Sequence, residues 1–141
     1  EYYISRAETE KNAFFAIVGK LGLDPATVKV SREPSYGWGG AMGPAQFLPS
    51  TWLLYADAVA NLMGRRPASP WNIEDAFTAA GLKLAKDGAD KQTYAAESKA
   101  AKIYIAGSRW NTSLTARIYA NNVMAEASRI QKDINILNQS K

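Results

Sequence analysis

With 141 residues, of which 47% are hydrophobic and 21% charged, the chain is long enough to bury a core and too apolar to class with disordered polymers. Cysteine and histidine are both absent, which excludes thiol nucleophiles, disulfides, Ser-His-Asp triads and the zinc sites built on those ligands, so acid-base chemistry falls to carboxylates. Lys and Arg number 17 against 13 Asp and Glu, a formal +4, and these basic residues are scattered over the chain rather than gathered in runs.

Ser5 to Leu21 has the spacing of an amphipathic helix, with Ala13, Phe14, Ile17, Val18 and Leu21 on one side and Gly22 placed to end it. Asp24-Pro25 begins a brief turn, and Ser31 to Gly40 reads as a loop. The stretch from Trp38 to Trp52 follows. Four glycines between positions 37 and 43 allow a tight loop and a close approach to a ligand or to other backbone. Pro44 is expected to open a short helix, Pro49 to end or kink it, and Ser50 to cap the next one.

That next helix is predicted to run to about Met63, burying Trp52, Tyr55, Ala56, Val59 and Leu62, with Gly64 at its end. Asn72 and Asp75 resemble a capping box ahead of an apolar stripe of Ile73, Ala76, Phe77, Ala80 and Leu84 that continues to Gly88. Thr93 is a cap for a helix from Tyr94 to Ala106, closed by Gly107. Trp110, in the loop after it, either covers the core or faces a ligand. Thr112 or Ser113 caps a last helix carrying Ala116, Tyr119, Val123, Ala127 and Ile130, and the tail from Lys132 is expected to fray or dock weakly. No strand pattern and no internal repeat occurs, so the predicted architecture is a single all-α domain of about five helices around a Gly-rich loop. The chain starts at Glu1 rather than Met, as expected of a mature product or an excised piece, and carries no apolar run of membrane-spanning length.

Gly39-Gly40-Ala41-Met42-Gly43-Pro44-Ala45-Gln46-Phe47-Leu48-Pro49-Ser50-Thr51-Trp52 resembles the signature of the membrane-bound lytic transglycosylase B family. Phe14-Phe15, Gly22-Leu23-Asp24-Pro25, Asn72-Ile73-Glu74-Asp75-Ala76-Phe77 and Tyr104-Ile105-Ala106-Gly107 extend the likeness over roughly Ala13 to Ala127. The resemblance implies a lysozyme-like α fold that cleaves the β-1,4 bond between N-acetylmuramic acid and N-acetylglucosamine in peptidoglycan, leaving 1,6-anhydro ends. It implies no metal and no cofactor, a location in the cell envelope, a glycan strand as partner, and contact with a membrane only through an anchor outside this chain. Nucleic acid is not an expected partner, because no arginine-rich recognition helix or interleaved basic-aromatic surface occurs.

In that family one glutamic acid serves first as acid and then as base, and the substrate's acetamido group replaces the second carboxylate of ordinary glycosidases. The acid precedes the signature by some tens of residues, in a Glu-Ser or Glu-Thr catalytic context; Glu8-Thr9 has the letters of that pair but reads as part of a helix start, so the acid is expected upstream of residue 1. Glu1, Glu8 and Glu10 read as exposed charges near a helix start, and Glu33 is the fallback acid within the chain. Saccharide contacts are expected from Tyr36, Trp38, Gly40, Met42, Gln46 and Tyr104, with Gln46 either pairing with a glycan amide or hydroxyl or bracing the loop. Three positions depart from the pattern: Gly37 and Lys83 stand where relatives have serine and tyrosine, and Ile105 where asparagine often follows Tyr104. A non-catalytic wall-binding module that kept the fold and lost the acid is the alternative.

Overall fold

The computed structural model describes residues 1–35 and 38–139. It is all-α, with six α-helices, two 3-10 turns and no strand among the described residues. Residues form two compact units, Glu1–Leu82 and Lys83–Lys141.

In the first unit, α1 (Tyr2–Leu21) starts three residues before the predicted Ser5. Gly22 ends it in the left-handed region, φ 65°, while its N–H donates to the Gly19 carbonyl and that of Leu23 to Val18. That pairing of the last carbonyls is the Schellman stop a glycine permits. Ala13, Ile17 and Val18 are buried and Phe14 half-buried on the predicted face, whereas Phe15, off that face, is 49% exposed. Asp24 closes the short turn after α1, accepting from the backbone of Ala26 and Thr27.

The segment after the glycines departs from expectation. Pro44 opens a turn rather than a helix, and Pro49 starts α2 (Pro49–Leu53) instead of ending an earlier one. A proline is well suited to a first helical position, where its missing N–H is not needed. Leu48 takes the cap position and Ser50 lies inside the helix. The predicted single helix to Met63 is divided, because Leu54 and Tyr55 donate to carbonyls three residues back before α3 (Ala56–Met63) resumes. Trp52 and Tyr55 both enter the core across this tighter turn, at 1% and 8% exposure, while Leu62 is on the surface. Phe47 lies 5.8 Å from Trp52 and 6.0 Å from Tyr55 by ring centroids, tilted or edge-on to each. Burial of side chains of this size stabilises by roughly 1.5–3 kcal/mol each.

Helix α4 (Ile73–Lys86) forms where predicted, but its inward face is Asp75, Ala76 and Ala79, while Ile73 and Phe77 are exposed. The reason is an ion pair. Arg65 reaches Asp75 at 2.8 Å, and drawing that carboxylate inward turns the neighbouring apolar positions out.

The second unit holds α5 (Tyr94–Ala106) and α6 (Leu114–Gln139), flanked by 3-10 turns at Ala89–Lys91 and Gly107–Arg109. Thr93 caps α5 by accepting from the Ala96 N–H, and Ser113 caps α6 by accepting from Ala116. Buried alanines at 100, 101, 116 and 120 allow these two helices to pack closely. The tail from Lys132 is helical through Gln139 rather than irregular. Helix α6 continues to Gln139, supported on its exposed surface by Arg129 with Glu126 and Asp133, and by Gln131 with Asn135.

Candidate functional site

The glycine-rich stretch is held open by three short backbone pairings. Ser31 donates to the Ala41 carbonyl at 2.8 Å, Gly40 donates to the Ser31 carbonyl at 2.9 Å, and Met42 donates to Phe47 at 2.8 Å. Met42 thus stands between two antiparallel bridges, to Val30 on one side and Phe47 on the other. The Ser31 hydroxyl also accepts from the Ala41 N–H. Between Met42 and Phe47 the chain turns through Gly43 at φ 64° and Gln46 at φ 55°.

A shelf from the start of α4 presses on this turn. A Cβ on Gly43 would fall 1.7 Å from the Pro70 carbonyl oxygen, so only glycine fits. The next residue, Trp71, donates its indole N–H to the Lys29 carbonyl at 2.8 Å and fixes the arm that pairs with Gly40 and Ala41. Asp75 sets the shelf in turn. One of its oxygens accepts from the Ser69 N–H at 2.9 Å and the other from Arg65, with the side chain only 3% exposed. Hydrogen bonds to Asp75 first and Glu74 second hold the Arg65 guanidinium above its ordinary value, so it stays charged wherever the fold is studied. Asn72 accepts from the N–H groups of Glu74 and Asp75, the forward half of the expected capping box; the return half is missing because Asp75 is committed to Ser69 and Arg65.

The far end of the stretch is tied to α1. Glu10, expected as an exposed charge, is instead 12% exposed and accepts from both the Ser50 N–H at 2.9 Å and the Ser50 hydroxyl at 2.6 Å. Arg6, one turn earlier, donates to the same carboxylate at 3.1 Å. Ser50 therefore does not cap α2; it is the donor through which Glu10 caps it.

Of the expected saccharide contacts, Gln46 and Gly40 belong to this loop and Trp38 lies just before it. Gln46 is exposed, and its side-chain amide donates to the Gly43 carbonyl at 2.8 Å, so it braces the turn while its amide oxygen has no partner among the described residues. Trp38 is half-buried with its ring 5.9 Å from that of Tyr3, not standing free. Met42 has no exposed surface, backbone included, so it is part of the core and supports the loop from beneath rather than meeting a ligand. Tyr36 lies outside the described residues. Tyr104 belongs to the second unit, half-buried under the Lys83 ammonium at 5.6 Å, and Lys83 also pairs with Asp87 at 2.7 Å. Trp110, in that same unit, is half-buried with the Lys99 ammonium 4.9 Å from its ring. Glu33 is exposed, with its backbone against Gly39, where a Cβ would fall 2.8 Å from the Glu33 nitrogen.

An open groove of about 300 Å³ runs along the loop, between Gly43 and Gln46 on one side and Lys29, Val30 and Trp71 on the other. Gln46, Ser31 and Trp71 are among its lining, and no carboxylate lines it among the described residues. A slightly larger hollow, about 340 Å³, lies beside Lys20, Trp52, Asp57 and Arg66; none of the expected contacts lines it. Sequence reasoning passed over Trp71 and Lys29. The signal that was present is Trp71 directly after Pro70 and ahead of a capped helix, a place where an indole has no helical reason to be. No family model, curated protein or solved structure matches the chain.

Proposed function

We propose that the groove beside Gly43 and Gln46 binds a glycan strand of peptidoglycan, and that the chain is the saccharide-binding part of a lytic transglycosylase of the cell envelope. The observation that carries this reading is the signature from Gly39 to Trp52 together with the groove along it, which Gln46, its amide oxygen without a partner among the described residues, and Trp71 both line. Sugars need that combination, polar groups in the ring plane and an apolar face across the ring. The absence of a carboxylate from the groove lining supports an acid supplied by a segment other than these residues, and equally a wall-binding module without the reaction.

Incubating the chain with purified peptidoglycan, sedimenting the wall and analysing soluble products by mass spectrometry tests both readings. Binding of the folded chain without 1,6-anhydromuropeptides is the expected result. Anhydro products that disappear in Glu33→Gln would move the acid into this chain. A folded chain that stays in the supernatant at every wall concentration would sink the proposal.

A further inference from the structure

Apolar residues on α6 recur at alternating intervals of four and three: Ala116, Ala120, Val123, Ala127, Ile130, Ile134 and Leu137. That average period of 3.5 is the coiled-coil repeat, and it persists along the helix while the cover over it does not. Ala116 and Ala120 are fully buried in the packing of α5 against α6, and Val123 is half-buried. Beyond them Ile130, Ile134 and Leu137 are 48%, 44% and 66% exposed. The seam therefore begins as an interface and continues without one.

We infer that the C-terminal half of α6 takes a second copy of this chain, as a parallel two-stranded coiled coil. The regular spacing assigns Ala120, Ala127 and Ile134 to the a positions and Val123, Ile130 and Leu137 to d; the last pair, β-branched Ile134 at a with Leu137 at d, is the combination that suits a parallel pair. The flanks set the direction. Glu126 and Asp133 fall at g, and Gln131 and Asn138 at e. A parallel partner brings each g residue to the following e residue across the seam, so carboxylates meet amide donors at Glu126 with Gln131 and at Asp133 with Asn138. An antiparallel partner would set Glu126 against Asp133. Arg129 already bridges these two acids within the helix, at 2.9 and 3.2 Å, and holds both along the flank of the seam. Two exposed heptads make a short contact, so the association is weak and depends on concentration.

Sedimentation equilibrium of the full chain from micromolar to millimolar concentration should show the mean mass rising toward twice the monomer. The double variant Ile130→Glu with Leu137→Glu should remain a monomer. Because the chain has no cysteine, Ile134→Cys serves as a clean second test. In a parallel pair it faces its own copy and should oxidise to a dimer about tenfold or more faster than Ile118→Cys, which lies at an outward f position, because pairing raises the local thiol concentration. A monomeric mass throughout, a dimer that survives the double glutamate variant, or equal oxidation at 118 and 134 would each overturn the inference.

Discussion

Gly43 carries two independent demands. Its φ of 64° is one, and the Pro70 carbonyl where a methyl group would sit is the other. Gly43→Ala is expected to cost the strain of a left-handed residue, roughly 1–3 kcal/mol, plus whatever moving the Pro70 carbonyl requires, and to lower the melting temperature accordingly. Gly81, in the body of α4 with nothing within 4 Å of its would-be Cβ, is the contrast. Gly81→Ala should raise stability by about 0.5–1 kcal/mol in the same thermal melt. Gln46 joins an unfavourable φ of 55° to an exposed amide, so stability and binding should separate there. Gln46→Gly is expected to leave stability unchanged or improve it by up to about 1 kcal/mol, while wall sedimentation falls severalfold. If binding is unaltered, the amide is only a brace.

Among the elements, the stops and starts marked by single residues were legible in the sequence. Gly22, Gly64, Thr93 and Gly107 stand where the helices begin or end, because a left-handed stop or a side-chain cap is a local matter. What could not be read was whatever depends on a distant partner. Ser50 is a good cap residue, yet it is the donor to a carboxylate forty positions earlier. The division between α2 and α3 lacks any glycine or proline to announce it, and it shows only in the bonds of Leu54 and Tyr55 to carbonyls three residues back. Likewise the inward face of α4 follows Asp75, which periodicity alone assigns to solvent. Of the candidate site, the glycines and Gln46 were visible as a motif, but the shelf of Pro70 and Trp71 was not.

One double-mutant cycle and one single variant follow at this scale. Glu10→Ala and Ser50→Ala should be non-additive by about 0.5–3 kcal/mol in denaturant melts, since both remove the bond from the Ser50 hydroxyl to Glu10; additivity would mean that this bond contributes nothing. Asp75→Ala leaves the Ser69 N–H without its acceptor and is expected to cost about 1–3 kcal/mol. Its effect should also reach the groove. The Trp71 indole N–H should lose protection from hydrogen exchange in Asp75→Ala, which a loss of stability confined to α4 would not produce at equal global stability.

For the molecule as a whole, a formal charge of +4 is carried by basic residues scattered along the sequence, and under the proposed function it adds a general attraction to an anionic wall. Wall binding should therefore weaken only severalfold when salt is raised from about 0.1 to 1 M, as the screening length falls from about 10 to 3 Å. Loss of all binding over that range would assign the affinity to charge and not to the groove. No helix among the described residues is long and apolar enough to cross a membrane.

The contact of Gly43 with Pro70 also bears on protein engineering. The signature from Gly39 to Trp52 looks like a portable cassette, but its shape is stored outside it, in a carbonyl at position 70, an indole at 71 and a carboxylate on α1. Grafted alone onto another helical scaffold, it would carry the letters of the motif without its form.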